Sequence, residues 1–178
     1  RELVWLRNTH LIVLDIVEIA REGIRAQWQL HLPRAIEIGA GLLTVTAGAP
    51  ENRWADERLQ PGNVEGRLFC RTLLPRDYTL ILHADGKAEA FDAAGRSKGP
   101  VEGNRHHLEH GKIVVQLEPN PAATRMLFLH VLTAVDASEG RAPAASFRRL
   151  SPGRLEVDVE GASVAFDVPA WGKTGDSH

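Results

Sequence analysis

The chain has 178 residues, enough for one sizeable domain and too few for two comfortable ones. With 43% hydrophobic and 25% charged residues it can bury a real core, and a net charge of −2 gives no whole-molecule field favouring nucleic acid or an anionic membrane. A single cysteine, Cys70, excludes an internal disulfide framework and a multi-cysteine zinc site, and no apolar run approaches the roughly 20 residues that span a bilayer.

Short apolar runs with period-2 alternation, separated by Gly, Pro, Asn and Asp, dominate the chain. Residues 1–7 carry no signal-peptide pattern and read as a strand that starts abruptly, as in a fragment of something longer. Residues 10–18 are β-branched and too apolar for an exposed strand. In 24–32, Ile24, Ala26, Trp28, Leu30 and Leu32 point one way, and Arg25, Gln27, Gln29 and His31 point the other. The turn-like connector 20–23 makes an antiparallel hairpin of these two runs the simplest expectation. Strands over 42–47 and 65–74 flank a polar, Pro-containing stretch, where one helical turn is expected over 53–59. A strand at 78–84 precedes the tight-turn pair Asp85-Gly86, with a short strand at 88–92. The polar segment 93–111 reads as a long loop. Strands follow at 112–118, 125–134, 146–150, 154–159 and 163–168, the last two joined by a hairpin loop at 160–162. About a dozen strands at this spacing, with little helix, predict an all-β fold, an antiparallel two-sheet sandwich. It is expected to be a single domain over residues 1–170 with a flexible tail at 171–178.

Eight histidines are the natural place to look for chemistry. His106, His107 and His110 lie near Glu102 and Glu109, but in a loop without defined ligand geometry. His130 sits in the most apolar run and is expected in the core with Phe128; His83 falls at a strand end. Cys70, within Leu68-Phe69-Cys70-Arg71-Thr72, reads as a buried, inert thiol. Asp15 interrupts an apolar run, so once buried it must be paired or metal-bound. In the expected hairpin its strand neighbours that of His31. Gly-x-Ser-x-Gly, a Cys–His signature and a phosphate-binding Gly-rich loop are all missing, and Gly39-Ala40-Gly41 is too short to indicate a dinucleotide site.

Several of these runs together resemble the C-terminal β-domain of heparinase II/III-type polysaccharide lyases: Val4-Trp5-Leu6-Arg7, Leu11-Ile12-Val13-Leu14-Asp15, Gln27-Trp28-Gln29-Leu30-His31-Leu32, the run from Gly66-Arg67-Leu68 to Leu74-Pro75, and residues 112–119 followed by Met126-Leu127-Phe128-Leu129-His130-Val131-Leu132. The resemblance covers about residues 1–135 and implies a C-terminal fragment of a large enzyme. An α/α toroid would precede the sandwich and supply most of the catalytic groups, including a tyrosine. The reaction would be β-elimination on an acidic, uronate-containing polysaccharide, in a periplasmic or secreted protein. Tyr78, the single tyrosine, lies in a strand without a supporting motif and is not assigned a catalytic role. Some members hold zinc through His, Asp and His. Asp15 and His31 stand where the second and third ligands would fall, and the first would precede Arg1. The leading expectation is therefore a sandwich domain that supports a substrate cleft and is inactive alone. A free-standing carbohydrate-binding module is the alternative, with Trp54 as its aromatic platform; a ligand-free structural or oligomerising sandwich is the third possibility.

Overall fold

The computed structural model describes residues 1–21, 23–32, 36–39, 41–47, 66–83, 89–91, 97–100 and 113–170. Among these the chain forms fourteen strands and no helix: β1 (Glu2–Leu6), β2 (His10–Glu18), β3 (Trp28–Leu32), β4 (Ile36–Gly39), β5 (Leu42–Ala47), β6 (Gly66–Leu74), β7 (Tyr78–His83), β8 (Glu89–Phe91), β9 (Ser97–Pro100), β10 (Ile113–Pro119), β11 (Arg125–Asp136), β12 (Ala145–Ser151), β13 (Arg154–Val159) and β14 (Ala162–Asp167). The expected antiparallel all-β sandwich is what forms. Its centre is a six-stranded sheet in the order β1-β2-β11-β6-β5-β4, with three-stranded sheets β3-β10-β7 and β12-β13-β14 and a separate β8-β9 pair.

The central sheet is covered on both faces, which explains why β2 and β11 are apolar almost throughout rather than alternating. On one face, Met126 and Phe128 of β11 and Cys70 of β6 pack with Trp28, Val115 and Leu117 of the β3-β10-β7 sheet. On the other, Ile12, Leu14, Leu129 and Val131 pack with Leu155, Val157, Val159 and Phe166 of β12-β13-β14. Leu155, Val157 and Val159 are fully buried, each contributing about 1.5–3 kcal/mol relative to exposure. A bulge in β6 carries this double-sided packing: between Leu129 and His130 of β11 the partner jumps from Leu74 to Thr72. The extra residue re-aims the strand, sending Leu74 to one cluster and Cys70 to the other.

The hairpin expected between residues 10–18 and 24–32 does not form. β2 pairs with β1 on one side and with β11 on the other, the latter over nine residue pairs from Glu18–Arg125 to His10–Thr133. β3 pairs with β10 in a different sheet. The reason is burial: a strand apolar on both faces gains more from the middle of the covered sheet than from a two-strand edge. The chain leaves β2 and crosses to the facing layer, so residues 24–27 are not strand and Ile24, expected to point inward, is 55% exposed. Trp28 and Leu32 do face the core. Two short strands were not anticipated: β4, and β9 inside the segment read as a loop. The helical turn at 53–59, the histidine-rich loop and the tail at 171–178 lie outside the described residues.

The β13–β14 hairpin is tighter than the three-residue loop expected. Val159 pairs with Ala162, leaving only Glu160 and Gly161 in the turn, both with positive φ (51° and 77°). That is a type I′ geometry, whose twist matches the strands. Asp158 supports it, accepting from the Gly161 N–H at 3.1 Å and the Ser163 hydroxyl at 3.0 Å.

Candidate functional site

Alternation sorts the polar residues of β2 and β11 between the two faces of the central sheet. Val13, Asp15 and Val17 lie opposite His130, Phe128 and Met126, on the face of the Trp28 cluster. His10, Ile12 and Leu14 lie opposite Thr133, Val131 and Leu129, on the other face. Two polar centres result.

The first joins Arg1, Asp15, Thr72, His130 and Trp28. Arg1 grips Asp15 with both forks of its guanidinium: Nε donates to Oδ1 at 2.6 Å and Nη2 to Oδ2 at 2.8 Å. The Asp15 side chain is only 12% exposed while that of Arg1 is 60% exposed, so the carboxylate is sheathed and the cation faces out. This satisfies the requirement that a carboxylate inside an apolar run be paired. The same contact raises the pKa of Arg1 further above its ordinary value.

His130 is fully buried, stacked on Trp28 with ring centroids 3.7 Å apart and planes 23° from parallel. Its Nδ1 lies 3.2 Å from the Thr72 hydroxyl, and Nε2 has no hydrogen-bond partner among the described residues. Burial pushes its pKa down to about 3; Asp15 acts in the opposite direction and Arg1 in the same one, both more weakly. The imidazole is therefore neutral at physiological pH and sealed from solvent, which suits a core residue and not a proton carrier for an external substrate. Cys70, also fully buried, is pushed up to about 12 by desolvation, an unreactive thiol as expected.

The second centre opens to solvent. His10 is 4% exposed, its Nδ1 3.0 Å from the Thr133 hydroxyl and its Nε2 3.9 Å from the Glu160 carboxylate. It sits at the head of an open groove of about 720 Å³, lined also by Thr9, Asp136, Glu139 and Arg141. Arg7 donates to the Glu160 carbonyl oxygen at 3.4 Å, linking the β1–β2 turn to the β13–β14 turn.

The residues singled out from the sequence are not brought together. Asp15 belongs to the central sheet and is held by Arg1. His31 lies on β3 opposite Val114, on the outward, exposed side of that strand, in the sheet whose outer polar row runs through Gln29, Gln116 and Glu118. Among the described residues no group of three His, Cys, Asp or Glu side chains is placed to hold a metal ion. Zinc, which the family resemblance implies, is thus not matched by the side chains described: the carboxylate is already neutralised and the imidazole sits in another layer. Trp54 lies outside the described residues, as do His106, His107 and His110. Tyr78 is half-buried against the Trp28 cluster, its hydroxyl 3.4 Å from where a Cβ on Gly41 would stand. Sequence reasoning missed Arg1, His10 and the exposure of Trp5. The signal for the first two was register in the hairpin 1–15, since alignment of Leu6 with His10 sets Arg1 beside Asp15.

No protein-family model matches the chain, and no curated protein matches it. Among solved structures the chain is similar to the crystal structure of a mutant of the heparan sulfate lyase HepC from Pedobacter heparinus, with 13% sequence identity and a TM-score of 0.51. The match covers 99% of this chain and 24% of that one, so the chain spans about a quarter of that enzyme's length. At this identity the likeness establishes a shared fold.

Proposed function

We propose that this chain is the β-sandwich domain of a heparinase II/III-like polysaccharide lyase, supporting a substrate cleft whose catalytic groups come mainly from a companion helical toroid. The observation that carries this reading is the coextensive match: nearly the whole chain overlays one quarter of a heparan sulfate lyase. The strand motifs from Val4-Trp5-Leu6-Arg7 to the run ending at Leu132 support it independently. The described interior agrees with a supporting role. Asp15 is bound by Arg1, and His130 and Cys70 are buried and shifted away from the range in which they exchange protons at neutral pH. The substrate would be an acidic, uronate-containing polysaccharide outside the cytoplasm, cleaved by β-elimination. Any zinc would need ligands beyond Asp15 and His31.

The test compares the 178-residue chain with the gene product that contains it. Each is incubated with heparan sulfate and other uronate polysaccharides, and the ultraviolet absorbance of the unsaturated product is followed. The longer protein is expected to cleave at least one of them and the isolated chain none. Cleavage by the isolated chain would overturn the supporting role; a gene product with no helical region, or with no lyase activity, would overturn the assignment. A glycan array with wild type and Trp54→Ala separates the carbohydrate-binding module: loss of a saturable signal in the variant would favour it.

A further inference from the structure

β1 is an edge strand with an interior strand's composition. On one face Val4 and Leu6 pack against the cluster of Ile12, Leu14 and Val157. On the other, Leu3 and Trp5 stand opposite Val13 and Leu11, on the side that β3-β10-β7 covers over β11 and β6. That cover stops short of β1, leaving Leu3 59% and Trp5 61% exposed. Beyond β1 no described strand continues the sheet, so alternate N–H and C=O groups along it point outward. A sheet edge that carries two exposed apolar side chains is a ready template for a further extended segment. The edge is also held ready, since the Arg1–Asp15 fork fixes its start and the Arg7–Glu160 contact fixes its end.

We propose that β1 is an interdomain strand: an extended segment from a companion domain of the same polypeptide adds to its free edge and lays apolar side chains over Leu3 and Trp5. Size selects this occupant. A five-residue edge with two exposed apolar side chains falls well below the roughly 1,200–2,000 Å² that a stable interface between free partners buries. A tethered segment, at an effective concentration in the millimolar range, needs far less intrinsic affinity. Charge disfavours a second copy, because antiparallel pairing of two β1 strands about Val4 sets Arg1 against Arg7 of the other copy at both ends. A sugar is disfavoured at Trp5 itself, whose neighbours Leu3, Leu11 and Val13 offer no hydrogen bonds to ring hydroxyls, while Arg1 on the same face is already held by Asp15. The inference rests on the reading that this domain belongs to a larger chain, and not on the chemistry that chain performs.

Amide hydrogen exchange, read by mass spectrometry on the isolated chain and on the full gene product, tests it. The outward amides of residues 2–6 are expected to exchange about 100-fold more slowly in the full product. Trp5→Lys in that product should return them to the isolated-chain rate, while Trp5→Phe keeps the protection. Equal exchange in both proteins would overturn the proposal. So would β1 protection in the isolated chain accompanied by a concentration-dependent dimer in sedimentation, which would make a second copy the occupant. Binding of the isolated chain to a glycan array, lost on Trp5→Ala, would overturn it in favour of a saccharide. Lyase activity is measured on the same samples. Protection without cleavage keeps this inference and sinks the lyase reading; cleavage without protection does the reverse.

Discussion

His130 makes the stability of this domain depend on pH between about 6.5 and 3. In the unfolded chain a histidine binds its proton near pH 6.5. In the folded chain burial between Trp28 and Phe128 pushes that value down to about 3. Below pH 6.5 the unfolded state therefore holds the extra proton, and stability falls as pH falls. The contribution is fully present above pH 6.5 and is lost toward pH 3, at about 1.4 kcal/mol per pH unit. At pH 4.5 the loss is about 3 kcal/mol, a large part of the roughly 5–15 kcal/mol that holds a typical domain together. Urea unfolding followed by tryptophan fluorescence at intervals from pH 7.5 to 4.5 measures it directly. The control is His130→Leu combined with Thr72→Val, so that the Thr72 hydroxyl, 3.2 Å from the imidazole, is not left unpaired. The double variant is expected to lose most of the slope between pH 6.5 and 4.5. Equal slopes in both proteins, or a His130 ring resonance that titrates near pH 6.5 in the folded state, would refute the reasoning.

Three further outcomes follow from single contacts. Asp15→Leu removes a mostly buried carboxylate gripped by an exposed arginine; because Arg1 stays solvated, the expected loss is small, about 1 kcal/mol, whereas Asp15→Lys, which buries a second cation beside Arg1, should cost several times more in urea unfolding. Glu160→Asn suits a turn whose two residues both have positive φ, and should raise stability by about 0.5–1 kcal/mol; a loss instead would show that the Glu160 carboxylate near His10 matters more than the backbone. Cys70 should resist a disulfide-exchange reagent in the native state and react stoichiometrically only on unfolding; rapid labelling of the folded chain would contradict its full burial.

Strand content was legible because the local pattern suffices for it. The alternation in 154–168, the Glu160-Gly161 turn and the apolar run around Phe128 each specify their own conformation. Pairing was legible only where partners adjoin in sequence, as in β13 and β14. The run 10–18 looked like half of a local hairpin, yet its main partner begins at Arg125, over a hundred residues away. Period and propensity carry no information about such a contact. What the run did carry was double-sided hydrophobicity, the mark of a central strand, and that argued against the edge hairpin assigned to it. β4 and β9 went unread because four residues are too few to show a period, and Ser97-Lys98-Gly99-Pro100 has no apolar face.

The candidate site was legible residue by residue but not as an arrangement. The sequence showed that Asp15 needs a partner and that His130 belongs in the core, and both hold. Choosing the partner required the correct neighbouring strand. Given β1 and β2 as a hairpin around Arg7, Asn8 and Thr9, the pairing of Glu2 with Leu14 sets Arg1 beside Asp15 and Leu6 opposite His10. Given β2 and β3 instead, the same aspartate drifts toward His31 and a metal appears where an ion pair stands. The two readings differ only in which short connector is taken as the tight turn. The residues at issue favour the first: Arg7 and Asn8 both adopt positive φ (50° and 60°), and Asn is among the few residues that do so readily. Residues 19–27 carry a glycine at position 23 with φ of 80°, yet Ile19 still donates its N–H to the Thr124 carbonyl at 2.7 Å, continuing the β2–β11 ladder past Glu18, and no hairpin with β3 closes. One turn thus determines whether Asp15 reads as a metal ligand beside His31 or as half of an ion pair with Arg1.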